Sequence, residues 1–189
     1  MFGKSKMISL VAFTFLFAFT ACDDDNDVPE PDEASFSMEV TGDMEIDLEG
    51  QVFYAAYHDP EYNESIFLLN MIPESESGAN LMFIKAGDRP DTGPYPIVFH
   101  DEHEAGEFPE QAFVSRFSMQ IQEGETPAMY FFEATDGTII FEESSDAFVS
   151  GSFEYQATGG NVYDEEEDMQ VEISGTFVAP RANIEDIDY

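Results

Sequence analysis

An all-β domain is the fold class this sequence predicts, and three observations predict it. First, several stretches alternate strictly between apolar and polar residues, the period of a half-buried strand. Met169, Val171, Ile173, Gly175 and Phe177 share one face, while Gln170, Glu172, Ser174 and Thr176 take the other. Phe113, Ser115, Phe117, Met119 and Ile121 alternate in the same way with Val114, Arg116, Ser118, Gln120 and Gln122. Val149, Gly151, Phe153 and Tyr155 alternate with Ser150, Ser152 and Glu154. Second, the chain has 19 Phe and 8 Tyr but no Trp, with many Val, Ile and Met. Aromatic and β-branched side chains suit a pleated, half-buried surface. Third, no stretch after residue 22 sustains a three-four spacing for three helical turns.

Taken in order, the short apolar runs between Gly, Pro, Asp and Asn clusters predict strands near 35–40, 44–48, 51–57, 65–72, 79–86 and 95–99. Further strands are expected near 112–122, 127–134, 137–143, 146–157 and 168–178. The expected architecture is an antiparallel β-sandwich or flattened barrel of about ten strands. Residues 35–180 form that single domain, 1–21 a signal peptide, 22–34 a linker and 181–189 a tail. One local repeat stands out. Val149-Ser150-Gly151-Ser152-Phe153 and Ile173-Ser174-Gly175-Thr176-Phe177 share the order apolar, Ser, Gly, hydroxyl, Phe. Thr158-Gly159-Gly160-Asn161 and the acidic residues 164–168 read as the loop that joins them in a long hairpin. Glycine on the apolar face leaves room for a neighbouring aromatic or a bulge, so the repeat is assigned to packing and to no ligand.

The N-terminus carries a different signal. Lys4 and Lys6 precede fourteen residues from Met7 to Thr20 whose only polar groups are small hydroxyls. A spanning helix needs roughly 20 apolar residues, so this run fits the apolar core of a secretory signal. A buried N-terminal helix is the alternative, which the abrupt change to Asp23-Asp24-Asp25-Asn26-Asp27 opposes. Phe19-Thr20-Ala21-Cys22 resembles the lipobox of bacterial lipoproteins, with Phe19 where that family usually has Leu. The resemblance implies cleavage before Cys22 and lipid on this single cysteine. The following aspartates resemble the acidic export signal of Bacteroidota-type surface lipoproteins, which implies the outer membrane facing the cell surface. The periplasmic face is the alternative. The acidic, proline-containing linker reads as a self-repelling tether, about 40 Å long if fully extended. Thr92-Gly93 with Tyr95-Pro96-Ile97, Asp136-Gly137-Thr138-Ile139-Ile140, the Val149–Phe153 run and Ile173 to Pro180 resemble uncharacterised lipoproteins of the same type. That resemblance spans roughly residues 80–180; it implies a β-sandwich on a lipid tether and brings no activity.

Charge narrows the partners. Beyond residue 22 only Lys85, Arg89, Arg116 and Arg181 are basic, against 41 acids. A field of that sign repels nucleic acid and anionic headgroups, so neither is expected to touch the folded domain. Self-repulsion is screened in strong salt, where the Debye length falls to roughly 4 Å at about 0.5 M. Adaptation to saline surroundings is one reading of the acidity. Gathering of divalent cations is the other.

Candidate sites are few. Asp164-Glu165-Glu166-Glu167-Asp168 and Asp59-Pro60-Glu61-Tyr62-Asn63 offer oxygen donors for weak Ca²⁺ association, but neither has the spacing of an EF-hand loop. His100-Asp101-Glu102-His103-Glu104 holds two of three histidines, with His58 the third, yet lacks the His-Glu-x-x-His order of zinc proteases. No Gly-x-Ser-x-Gly turn is present. With 41 acids, a carboxylate pair for glycoside hydrolysis identifies nothing. The expectation is therefore no enzyme, no cofactor and no dedicated metal site. A non-catalytic surface binding or structural module is expected, with a Ca²⁺-binding β-domain as alternative and a glycan-active or hydrolytic enzyme as second alternative. Tyr54, Tyr57, Tyr62, Tyr130 and Tyr163 are the aromatics available to hold a glycan or protein ligand.

Overall fold

The computed structural model describes residues 34–59, 64–74, 78–99, 108–123, 126–163 and 168–182. The signal segment, Cys22, His100, His103 and residues 164–167 lie outside the described residues. Nine strands follow in order: β1 (Ser35–Gly42), β2 (Ile46–Asp59), β3 (Glu64–Pro73), β4 (Asn80–Ala86), β5 (Gly93–Val98), β6 (Val114–Glu123), β7 (Thr126–Ser144), β8 (Phe148–Asn161) and β9 (Met169–Pro180). Among the described residues there is no helix.

The strands pair in the order β7-β6-β4-β3-β2-β1-β9-β8, and β8 pairs again with β7, so eight antiparallel strands close on themselves. The fold is a closed antiparallel barrel, so of the two expected architectures the barrel holds and the sandwich does not. The cause is the length of β7, 19 residues. One edge of β7 pairs first with β6 and then, from Asp136 to Phe141, with β5. Its other edge pairs with β8 from Tyr130↔Asn161 to Ser144↔Val149. No gap remains there for two separate sheets to face one another. Closure also removes the free edges that invite aggregation.

The alternation read from the sequence describes this wall. Phe113, Ser115, Phe117, Met119, Val149, Phe153, Tyr155, Val171, Ile173 and Phe177 are all buried. Eleven expected strands became nine because two supposed breaks lie inside strands. Gly50 sits within β2, where a β-carbon would collide with the carbonyl oxygen of Ile72. Residues 135–136, the expected break between strands 127–134 and 137–143, run through β7 at a bulge between Ala134 and Asp136. A β-carbon on Gly137 would strike Tyr155. Glycines and bulges at such points let long strands bend around a barrel. Thr158-Gly159-Gly160-Asn161 likewise belongs to β8 and not to a loop.

The repeat has a packing role. Gly151 pairs with Phe177 and Phe153 pairs with Gly175, so each glycine accommodates the aromatic of the opposite copy. A β-carbon on Gly175 would stand 2.7 Å from Phe153 Cζ. The rings of Phe153 and Phe177 stack at 6.5 Å, and Phe83 joins them at 5.0 Å from Phe153. A second cluster centres on Phe67, with Tyr54 at 5.6 Å and Phe113 and Phe141 each at 6.0 Å. Tyr95 of β5 joins it edge-on to Phe113 and Phe141. Aromatic side chains therefore fill the barrel interior.

Strand β5 is the ninth strand, outside the closed ring. Phe113 donates its N–H to Pro96 O at 2.8 Å, on the side away from β7. A residue's N–H and C=O point to the same side of a strand, so Pro94 and Pro96 fall where free donors would face outward. Proline removes those donors and blunts the edge.

Barrel connections alternate between two ends. Ala34, the turn between β7 and β8 and the end of β9 lie at one end, here the near end. Arg181 N–H donates to Ala147 O, and Ala182 N–H to Tyr54 O. Arg89 donates to Ser144 Oγ at 2.6 Å and pairs with Asp146 at 3.2 Å. The connections β1–β2, β3–β4, β6–β7 and β8–β9 lie at the far end.

Candidate functional site

The five candidate tyrosines separate sharply. Tyr54 is 1 % exposed; its hydroxyl donates to Ser145 O at 3.0 Å and Asp146 O at 2.9 Å. Burial raises its phenol pKa, with Arg89 and Arg181 acting in the opposite sense. Tyr54 closes the near end and is not a contact aromatic. Tyr130 is also buried, inside the barrel. Tyr57 is half-buried, and Tyr62 lies outside the described residues. Among the four described ones, Tyr163 alone is openly displayed, at 76 % exposure.

Tyr163 is not isolated. Asn161 Oδ1 accepts its N–H at 3.0 Å, and the preceding Val162 donates to Met129 O at 2.8 Å. Val162 is 52 % exposed and Met129 39 %. In β7, Ala128, Tyr130 and Phe132 turn inward and are buried, which places Met129 and Phe131 on the outer face. Met129 and Val162 thus stand side by side on the outer face at the far end, and exposed Tyr163 follows in the turn; these three residues make up what is here called the window. The outward positions around it are Pro127, Gln120, Gln122, Ser118, Thr158 and Gly160. Farther along the same face Arg116 and Glu133 meet across β6 and β7 at 3.9 Å. The sequence signal was the unbroken run Ala128-Met129-Tyr130-Phe131-Phe132, which is apolar on both strand faces. Alternation assigns one face to the core and leaves the other unexplained.

The repeat also builds an outer feature. Its hydroxyls point away from the core, beside those of β1, and floor a shallow cleft of about 610 Å³. Ser35, Ser37, Ser150 and Thr176 form the floor; Glu49, Glu74 and Glu142 form the walls. Ser37 and Thr176 hydroxyls lie 3.4 Å apart. These hydroxyls have no histidine beside them in the cleft lining.

Three polar side chains are buried: Lys85 at the near-end rim, and Tyr155 and Ser115 inside the barrel. Lys85 is 5 % exposed and donates to Ala86 O at 2.7 Å and Asp88 O at 3.0 Å. Burial lowers its pKa, while Asp88 and Glu110 act to raise it. Tyr155 and Ser115 are 2 % and 1 % exposed, and neither hydroxyl makes an aligned hydrogen bond. Burial pushes the Tyr155 phenol pKa far up, with the Ser115 hydroxyl offsetting a smaller part. A buried hydroxyl without a partner destabilises by about 1–3 kcal/mol, whereas apolar replacement of both groups is near neutral or stabilising. The double substitution Tyr155→Phe with Ser115→Ala should therefore hold or raise the urea midpoint. A loss above about 2 kcal/mol would show instead that the two hydroxyls bind something between them.

His58 is exposed on β2; His100 and His103 lie outside the described residues. Among the described residues, no group of three His, Cys, Asp or Glu side chains is placed to hold a metal ion. Most of the 59–63 and 164–168 acidic stretches fall outside that description. No protein-family model, curated protein or solved structure matches this chain.

Proposed function

We propose that this chain is a lipid-anchored cell-envelope protein that displays its barrel as a non-catalytic binding module. Residues 1–21 direct export, Cys22 takes the lipid, and the acidic linker holds the barrel off the membrane. The window of Met129, Val162 and Tyr163 is the binding face, and it is the observation that carries this reading. Exposed apolar groups clustered at one place mark interaction sites more often than scattered ones do. The window lies at the end opposite Ala34, where the linker joins, so an anchored barrel presents it outward. The filled interior supports the same view, because aromatic rings occupy the space that a ligand-holding barrel leaves open.

Labelled palmitate tests the anchor. Wild-type chain made in a bacterial host that processes lipoproteins should incorporate it, and Cys22→Ser should not. Surface proteolysis of intact cells should then remove the barrel. Labelling that persists in Cys22→Ser removes the anchor from the proposal; protection from protease places the barrel on the periplasmic face.

A further inference from the structure

We infer that the partner docking on the Met129–Val162–Tyr163 window is a polypeptide surface with an apolar centre and a basic periphery. This inference rests on the binding-module reading above and adds the chemistry of the partner. The centre follows from the exposed side chains. Met and Tyr are enriched in interface cores, and charged residues are depleted there. Tyr163 projects from a backbone held by Asn161, and Val162 is tied to Met129, so the anchor residues are positioned before any contact. Amides and hydroxyls flank the window on the neighbouring strands, Gln120, Gln122 and Ser118 on β6 and Thr158 on β8, which can form hydrogen bonds with a peptide partner at small desolvation cost.

Charge sets the periphery. Beyond the window the far end carries Asp43, Glu45 and Asp168, all exposed, and the chain as a whole bears a formal charge of −35. A partner broad enough to cover the window meets that field at its margins. A basic margin is attracted and oriented as it approaches, whereas an acidic one is repelled. The same field disfavours a second copy of this chain on the window.

Three synthetic peptides test the inference on the intact chain in neutral detergent. One alternates Lys and Leu, one Glu and Leu, one Lys and Ser, all eight residues long. Methyl labelling of the methionines supplies the readout. Met129 reports the window; Met38, Met71 and Met119, all buried, report the core. The Lys-Leu peptide should shift the Met129 methyl and leave the buried methyls in place. Its affinity should fall about tenfold or more in Tyr163→Ser, and about tenfold in wild type between low salt and 0.5 M NaCl. Equal binding of the Glu-Leu peptide with the same Met129 shift overturns the basic partner and leaves the window as a binding face. Equal binding of the Lys-Ser peptide with Met129 unmoved overturns both, because charge alone then accounts for the contact. A Met129 shift that depends on protein concentration alone assigns the window to a second copy.

Discussion

Phe67→Ala should cost about 3–5 kcal/mol, the range for removing a fully buried phenylalanine and leaving a cavity. For a domain of this size each kcal/mol lowers the thermal midpoint by about 2–4 °C, so a fall of roughly 10 °C is expected. Four features put Phe67 at the upper part of that range. It is fully buried on β3. Its ring meets Tyr54 from β2, Phe113 at the head of β6 and Phe141 from β7, so one substitution loosens three other parts of the wall. Tyr54 in turn ties the β7–β8 turn through its hydroxyl, so a displaced ring also weakens the closure of the near end. Surrounding rings are poor at collapsing into the space, because Phe113 and Phe141 already pack against each other at 5.6 Å and against Tyr95. The comparison is Met129→Ala, on the exposed window, which should change stability by about 0.5 kcal/mol or less. Both are read by urea unfolding at one fixed salt concentration. Equal midpoints for the two variants would mean that Phe67 does not join these strands as described.

The sequence disclosed the inner face of this barrel far better than its outer face. Burial of one side imposes a strict period of two, so Phe117, Met119, Val171 and Ile173 were legible as core from their alternation alone. Closure was not legible in the same way. Whether β7 pairs with β8 along its full length depends on long-range register, and Gly50 and the Thr135-Asp136 pair looked like punctuation between short strands. Only the strand across from Gly50 reveals it as a point of close approach. The candidate site was obscured for a related reason. Tyrosine count and position do not tell which face a tyrosine occupies unless the register is known. Tyr54 and Tyr130 fell inward, while Tyr163 fell just past the end of β8 on a fixed turn. Met129 and Val162 come from different parts of the chain, and their proximity depends on the β7–β8 pairing.

Gly151→Ala should do more damage than its single methyl suggests, and it tests the closure itself. Gly151 lies on the inward face of β8, paired with Phe141 on one side and Phe177 on the other. A β-carbon there would overlap the Ile140 carbonyl oxygen and stand 3.2 Å from Phe141 Cα. Both are backbone atoms, so no rotamer change relieves the clash. Relief requires β7 and β8 to separate beside the irregularity between Phe141 and Glu143, and that separation exposes the Phe141 and Phe177 rings. The expected loss is about 4 kcal/mol or more, within the tail of large single-residue effects that come from overpacking and lost core contacts. The matched control is Gly93→Ala. Gly93 has φ of +135° but open space around its β-carbon position, so only backbone strain of roughly 1–2 kcal/mol applies. Soluble yield and the near-ultraviolet circular dichroism of the packed tyrosines separate the two. A Gly151→Ala protein that folds as well as Gly93→Ala would require β7 and β8 to lie farther apart than their ladder allows. The barrel would then be open along that seam, and the two-sheet arrangement that the alternating strands first suggested would regain its standing.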